Sequence, residues 1–286
     1  MTLLTAPPIP AQRSGATEFD RTTTVVPVVF ADVGGTAELL VDLDEGWSSL
    51  IGVHGGYMCA LVVRAAEAVV PDRHVRTMST GFVRAGRAGP GTVEVREVRR
   101  GRSVSTVTAD LLQDGALVTT TRLTMTVEQE GIEWAAAEPL GLPPPHECVP
   151  VDPPTRVRHF DQATGLLDPE SLPFTGGPRA RLAGYVRPRQ PRPVDTAWLA
   201  MAVDWFPPPA FVRTDPPAGG VSIDLTTHFH RPAPELADGE WLAATFEIDE
   251  SSGGLALEHG RIAGPDGRLL AESFHTRSTA RRAGEG

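Results

Sequence analysis

No lysine occurs anywhere in the 286 residues, so all 26 basic side chains are arginine. That excludes both an imine-forming lysine and the lysine of an ordinary phosphate-binding loop. Cysteine is nearly as scarce. Cys59 and Cys148 stand far apart and outside any Cys-x-x-Cys pair, which excludes a disulfide scaffold and a cysteine zinc centre. No apolar run approaches the ~20 residues that span a bilayer, and Met1 to Pro10 has neither a basic start nor a signal-peptide core. A cytoplasmic protein with a flexible N-terminal tail over residues 1–16 is expected. An excess of positive charge is also missing: the net charge is -10 and the pI is about 5.3, which argues against a nucleic-acid partner.

What is present is the patterning of a globular α+β protein. Residues Thr17 to Leu43 alternate threonine and valine and read as strands. Then comes Gly52-Val-His-Gly-Gly-Tyr57, followed by Met58 to Val70, which is small and apolar nearly all round and stopped by Pro71. Such a helix has to be buried along most of its circumference, and a curved antiparallel sheet can do that. Strands are expected over Arg76 to Arg84, Gly91 to Arg99, Ser103 to Gln113 and Ala116 to Val127, with Asp114-Gly115 as a hairpin turn. From Glu128 to about Arg158 the composition turns proline-rich and reads as a long surface linker. The order then recurs. Strand signals at Val157 to Gln162 and Ala180 to Arg187 lead to a helical Thr196 to Phe206, cut by Pro207-Pro-Pro209, and then to strands at Val221 to Arg231, Glu240 to Ile248, Leu255 to Ala263 and Leu269 to Thr279.

Reactive side chains concentrate in Val221-Ser-Ile-Asp-Leu-Thr-Thr-His-Phe-His-Arg-Pro232. Strand alternation puts Ser222, Asp224, Thr226, His228 and His230 on one face and Ile223, Leu225 and Phe229 on the other. The polar face is either a solvated surface or part of a site.

Several short stretches resemble the acyl-CoA thioesterase II family in order and spacing, from about Phe19 to Arg281. They are His54-Gly-Gly-Tyr57, Phe82-Val-Arg-Ala85, Gly101-Arg-Ser103, Gln113-Asp-Gly115, Leu199 to Asp204, Ile223-Asp224, Phe229-His-Arg-Pro232 and Asp266-Gly267. The resemblance implies a double hotdog, two tandem hotdog repeats that each wrap a central helix in a curved antiparallel sheet. The N-terminal repeat would occupy residues 17–130, the linker 131–155, and the C-terminal repeat, carrying the site, 156–286. It further implies hydrolysis of an acyl thioester by water, linked to coenzyme A or to a carrier protein, without cofactor or metal, in a homo-oligomer of fatty acid or polyketide metabolism.

Carried onto this chain, the residues that hold the attacking water fall on Asp204, Ser222 and His275. Serine replaces the family's threonine, and histidine stands where the family has glutamine. Histidine titrates near neutrality, so His275 can act as base with Asp204 orienting it, or Asp204 is the base, or the site is a relic. Backbone N–H groups of Gly55, Gly56 and Tyr57 at a helix start suit an oxyanion, and His54 beside them is a candidate substrate contact. Trp198, Trp205 and Phe206 are candidate walls of an acyl pocket, and Asp224, Thr226, His228 and His230 are candidate supports. Arginines such as Arg100, Arg181, Arg187 and Arg189 suit coenzyme A phosphates. Dehydration or cyclisation in the same cleft, and acyl-CoA binding without catalysis, stay open beside hydrolysis.

Overall fold

A computed structural model describes residues 16–135, 139–152, 157–213 and 220–280. The expected tail lies almost wholly outside the described residues, as do parts of the linker. Thr17 starts a short helix, α1 (Glu18–Thr22), where a strand was expected. Its hydroxyl accepts the Asp20 N–H while the Asp20 carboxylate accepts the Thr17 N–H, a reciprocal cap that favours a turn over an extended chain. Strands β1 (Val26–Val29) and β2 (Ala37–Leu43) follow, β2 with strict in–out alternation of burial.

Helix α2 (Gly55–Val69) is buried over most of its surface, as its small apolar composition requires. A meander follows: β3 (His74–Phe82), β4 (Gly89–Arg100), β5 (Val104–Gln113) and β6 (Ala116–Thr126). Its β5–β6 turn has positive φ at both Asp114 (51°) and Gly115 (71°), the conformation for which an Asp-Gly pair is suited.

The remainder supplies β7 (Val149–Pro150), β8 (Ala163–Leu167), β9 (Ala180–Pro188), β10 (Pro193–Val194), helices α3 (Thr196–Ala202) and α4 (Ala210–Arg213), then β11 (Val221–Phe229), β12 (Ala233–Glu235), β13 (Leu242–Ser252), β14 (Leu255–Ala263) and β15 (Leu269–Ser278). Two expectations are corrected here. Residues Arg158–Gln162 form a 3-10 turn, because their polar groups bond to the first half of the chain instead of a neighbouring strand: the His159 N–H donates to the Ser48 carbonyl and Gln162 Nε2 to that of Gly46. The helix expected to reach Phe206 ends at Ala202. The N–H groups of Asp204 and Trp205 tighten back onto Met201 and Ala202, and the prolines beyond have no N–H with which to continue. The linker lies along the second half, with the Tyr185 hydroxyl donating to the Pro143 carbonyl and Val149–Pro150 pairing with β8 at the sheet edge.

Thirteen strands make one antiparallel sheet in the order β1-β2-β4-β5-β6-β3-β11-β15-β14-β13-β9-β8-β7. Its middle is the β3–β11 pair, in register from Gly81 opposite Asp224 to Thr77 opposite His228. Outward from that seam each half runs in the same sense, and each half carries one inner helix. Helices α2 and α3 lie antiparallel against one another: Gly56 at the start of α2 meets Met201 and Asp204 at the end of α3, while Arg64 farther along α2 donates to Asp195, the cap of α3. A methyl group at Gly56 would sit 2.6 Å from the Met201 carbonyl oxygen, so close approach of the two helices requires glycine there.

Candidate active site

The site forms where the start of α2 meets the end of α3. The first N–H groups of a helix have no partner within it and carry its positive dipole end. In α2 these donors are taken up by side chains. The Tyr57 N–H donates to Nδ1 of His54 at 3.2 Å, and the Gly56 N–H donates to Oδ2 of Asp204 at 2.9 Å, across the seam between the halves. Of the three N–H groups expected to face an oxyanion, two are therefore engaged; that of Gly55 has no partner among the described residues. Because its Nδ1 accepts, His54 carries its proton on Nε2, which reaches the Asp204 carbonyl at 2.9 Å and the Asp204 carboxylate at 3.5 Å. The Tyr57 hydroxyl donates to the Thr22 carbonyl, and the ring stacks on Trp47, so its side chain is structural.

Strand β15 brings the other groups. Its inward side chains are Ser273, His275 and Arg277, all buried. His275 Nδ1 lies 3.6 Å from Oδ1 of Asp204 and 3.9 Å from Glu258, and neither ring nitrogen has a hydrogen-bond partner among the described residues. Phe82 on β3 faces the imidazole, with ring centroids 6.3 Å apart. Arg277 donates to Oδ1 of Asp204 at 3.0 Å and to Glu258 at 2.6 Å.

The alternation read in β11 holds from Asp224 to Phe229, but its polar face is the outer one. Leu225, Thr227 and Phe229 are buried, whereas Asp224, His228 and His230 are exposed, with His230 bonded to Glu272 and Thr226 to Ser79. The expectation that Ser222 shares that face is corrected by a bulge between Ser222 and Asp224. The register places Ser222 opposite Arg277 and Asp224 opposite Thr276, so Ser222 is on the inner face with the site residues. One extra residue, Ile223, absorbs the change of face.

Burial sets the electrostatics. Burial opposes ionisation of Asp204, yet His54, Arg277 and His275 together hold its carboxyl well below the usual carboxylate range. Burial lowers His275 to about 3, aided by the Arg277 charge and opposed by Asp204. Burial likewise lowers His54, with Asp204 opposing. Both imidazoles are therefore neutral at physiological pH, and Arg277 is the permanent cation of the cluster. Burial also raises the carboxyl of Glu258, against the pull of Arg277.

Trp198, Trp205 and Phe206 are all packed into the core. Trp205 meets Phe160 and Phe206 edge-on, and its indole N–H donates to the His159 carbonyl; Phe206 lies against Phe246. Trp198 lines a cavity of about 330 Å³ whose other walls include Phe19, Arg189 and Arg192, toward the opposite end of α3 from Asp204. Arg100 and Arg181 are held in ion pairs with Asp72 and Glu247, Arg187 lies over Trp241, and Arg189 donates to the Asp161 carbonyl.

Sequence reasoning missed Arg277, Glu258 and His159. Arg277 was readable, since counting by two from His275 puts it on the same face. Glu258 required the β14–β15 register, which pairs it with His275. His159 had no local signal: its ring stacks on His54 at 4.2 Å from a segment that reads as strand.

Chain architecture places the protein among hot dog folds. Among solved structures the fold matches a conserved protein with a hot dog fold from Alicyclobacillus acidocaldarius, at 22% identity and TM-score 0.79 over 94% of this chain and 100% of that one. It also matches a protein of Thermobifida fusca YX provisionally described as a thioesterase II, at 26% identity and TM-score 0.78 over 93% and 99%. An acyl-CoA thioesterase II from Mycobacterium marinum aligns at 20% identity and TM-score 0.70 over 94% and 100%. No curated protein matches the sequence. Residues 43–127 match the acyl-CoA thioesterase N-terminal domain and residues 136–277 the C-terminal domain of the same enzymes. The chain belongs to the acyl-CoA thioesterase II family.

Proposed function

We propose that the protein hydrolyses acyl thioesters with water at the cleft between α2, the end of α3 and β15. Family membership supports thioester chemistry. The observation that supports the site is His275: a buried imidazole with neither nitrogen partnered among the described residues, 3.6 Å from a carboxylate held ionised. Leaving a buried polar group unpaired costs about 1–3 kcal/mol, a penalty that a water or substrate atom bound at His275 removes. His275, Asp204 and Ser222 hold the attacking water, and the Gly55 N–H at the positive end of α2, without a partner among the described residues, faces the developing oxyanion.

The reading extends to a double hotdog with repeats at 17–130 and 156–286 about a 131–155 linker, and to thioesters of coenzyme A or a carrier protein. Both halves of the sheet place their strands in the same order outward from the seam, which supports duplication. A cytoplasmic homo-oligomer also belongs to this reading. The outer face of β11, β15 and β14 exposes Ile223, Phe274, Leu255 and Leu257, apolar area suited to self-association.

The test is a panel of short, medium, long and aromatic acyl-CoA esters, with thiol release and product mass followed together. Free acid and thiol are expected, with kcat lowered about 100-fold or more by Asp204→Asn and by His275→Ala. Loss of water from the acyl group instead, saturable binding without turnover, or wild-type rates in both variants would overturn the reading.

A further inference from the structure

Arg277 is 4% exposed, and each of its three side-chain nitrogens donates a hydrogen bond. Nη2 donates to Asp204 Oδ1 at 3.0 Å and to Glu258 Oε1 at 3.3 Å, Nε to Glu258 Oε2 at 2.6 Å, and Nη1 to the Gly220 carbonyl at 3.4 Å. Stability alone does not account for such a cluster, because well-packed apolar residues commonly replace a buried ion pair at no cost. Its effect on the site is specific. Both oxygens of Asp204 are committed, Oδ1 to Arg277 and Oδ2 to the Gly56 N–H, whereas neither nitrogen of His275 has a partner among the described residues.

We propose that Arg277, held by Glu258, is a positioning residue that fixes Asp204 as a hydrogen-bond acceptor and leaves His275 as the group that takes the proton from the attacking water. This rests on the hydrolytic reading above. In the step, the unprotonated ring nitrogen of His275 accepts a proton as the water oxygen bonds to the thioester carbonyl carbon and the C=O electron pair moves onto oxygen. The oxyanion then re-forms C=O, the C–S bond breaks, and the departing thiolate takes the proton back from the imidazolium. Asp204 remains an anion throughout and stabilises the imidazolium 3.6 Å away. The charged and titratable groups around His275 are Asp204 after α3, His54 at the cap of α2, Glu258 on β14 and Arg277 on β15; β3 and β11 present Phe82, Leu225 and Thr227. Asp204 is further within the fields of Cys59 and His159.

The experiment compares the wild type with the double variant Arg277→Met, Glu258→Leu, which removes the cation together with Glu258 and leaves Asp204 to the Gly56 N–H and the two imidazoles, and with Arg277→Lys, which keeps the cation. Thermal unfolding checks that each is folded. For the wild type and Arg277→Lys, kcat is expected to stay flat from pH 8 down to about pH 5. Removing the cation eases protonation of His275, so the double variant gains an acid limb inside that range while KM changes less than about twofold. Nitrogen NMR of the His275 ring should show it titrating at higher pH in the double variant, independently of turnover. Absence of thioester hydrolysis by the wild type would defeat the functional reading alone. A folded double variant with an unchanged His275 titration and an unchanged kcat profile would overturn the role given to Arg277.

Discussion

His54, His159 and His275 are all buried and all held below the usual imidazole range, chiefly by burial. A histidine that stays neutral when folded but protonates when unfolded makes the unfolded state bind more protons below 6.5, so stability falls as pH falls. Each contributes a slope of up to about 1.4 kcal/mol per pH unit, for His275 between 6.5 and about 3. Asp204, whose folded value is depressed, adds loss only below its ordinary 3.8, while the raised Glu258 works in the opposite direction above its ordinary 4.5. Glu67, raised by burial to about 7, acts in the same sense as Glu258, and the three imidazoles outweigh these two carboxyls. Urea unfolding between pH 6.5 and about 4.5 should therefore show falling stability, and His275→Gln should flatten the slope by roughly one imidazole's share. An unchanged slope in the variant would mean that His275 is protonated in the folded protein. At this scale the family resemblance names Asp204, Ser222 and His275 as candidates, and the structure brings Asp204 and His275 within 3.6 Å of one another; the sequence was silent about their protonation, which depends on Arg277 and on burial.

Strand β11 shows how one element sorts side chains between two environments. A regular strand would have kept Ser222 on the outer face with Asp224; the Ile223 bulge places it opposite Arg277 instead. Ser222→Ala is accordingly expected to lower kcat/KM by about tenfold, the worth of one hydrogen bond near 1.4 kcal/mol. Asp224→Ala, His228→Ala and His230→Ala, all on the outer face, should stay within about twofold. Steady-state kinetics on the four variants checks the assignment; equal losses at Ser222 and Asp224 would contradict the register. Element types were largely legible, because α2 is apolar nearly all round and the β-strands alternate. Where the reading failed, at Thr17, at Arg158–Gln162 and beyond Ala202, the local pattern was overruled by a side-chain cap, by bonds to a distant loop and by tightening ahead of prolines.

For the whole molecule, the β3–β11 seam and the antiparallel α2–α3 contact make the two halves interdependent. Each half alone would expose a central strand edge with unpaired N–H and C=O groups, together with one buried face of its helix. Residues 1–130 produced alone should aggregate, and co-production with 131–286 should restore a soluble 1:1 complex with thioesterase activity; size-exclusion chromatography and the acyl-CoA assay read this directly. A soluble, monomeric N-terminal half would show that the seam is dispensable.

By itself the sequence determined that the chain is acidic, lacks lysine chemistry and any long apolar span, and wraps apolar helical segments in antiparallel strands, because composition and periodicity are local properties. Only the tertiary structure decided that the Asp204 carboxylate caps α2 from the other half, that Arg277 and Glu258 surround it, and that neither nitrogen of His275 meets a partner among the described residues. Those are distances between residues up to 148 positions apart. They depend on strand register and helix packing, which no local pattern encodes.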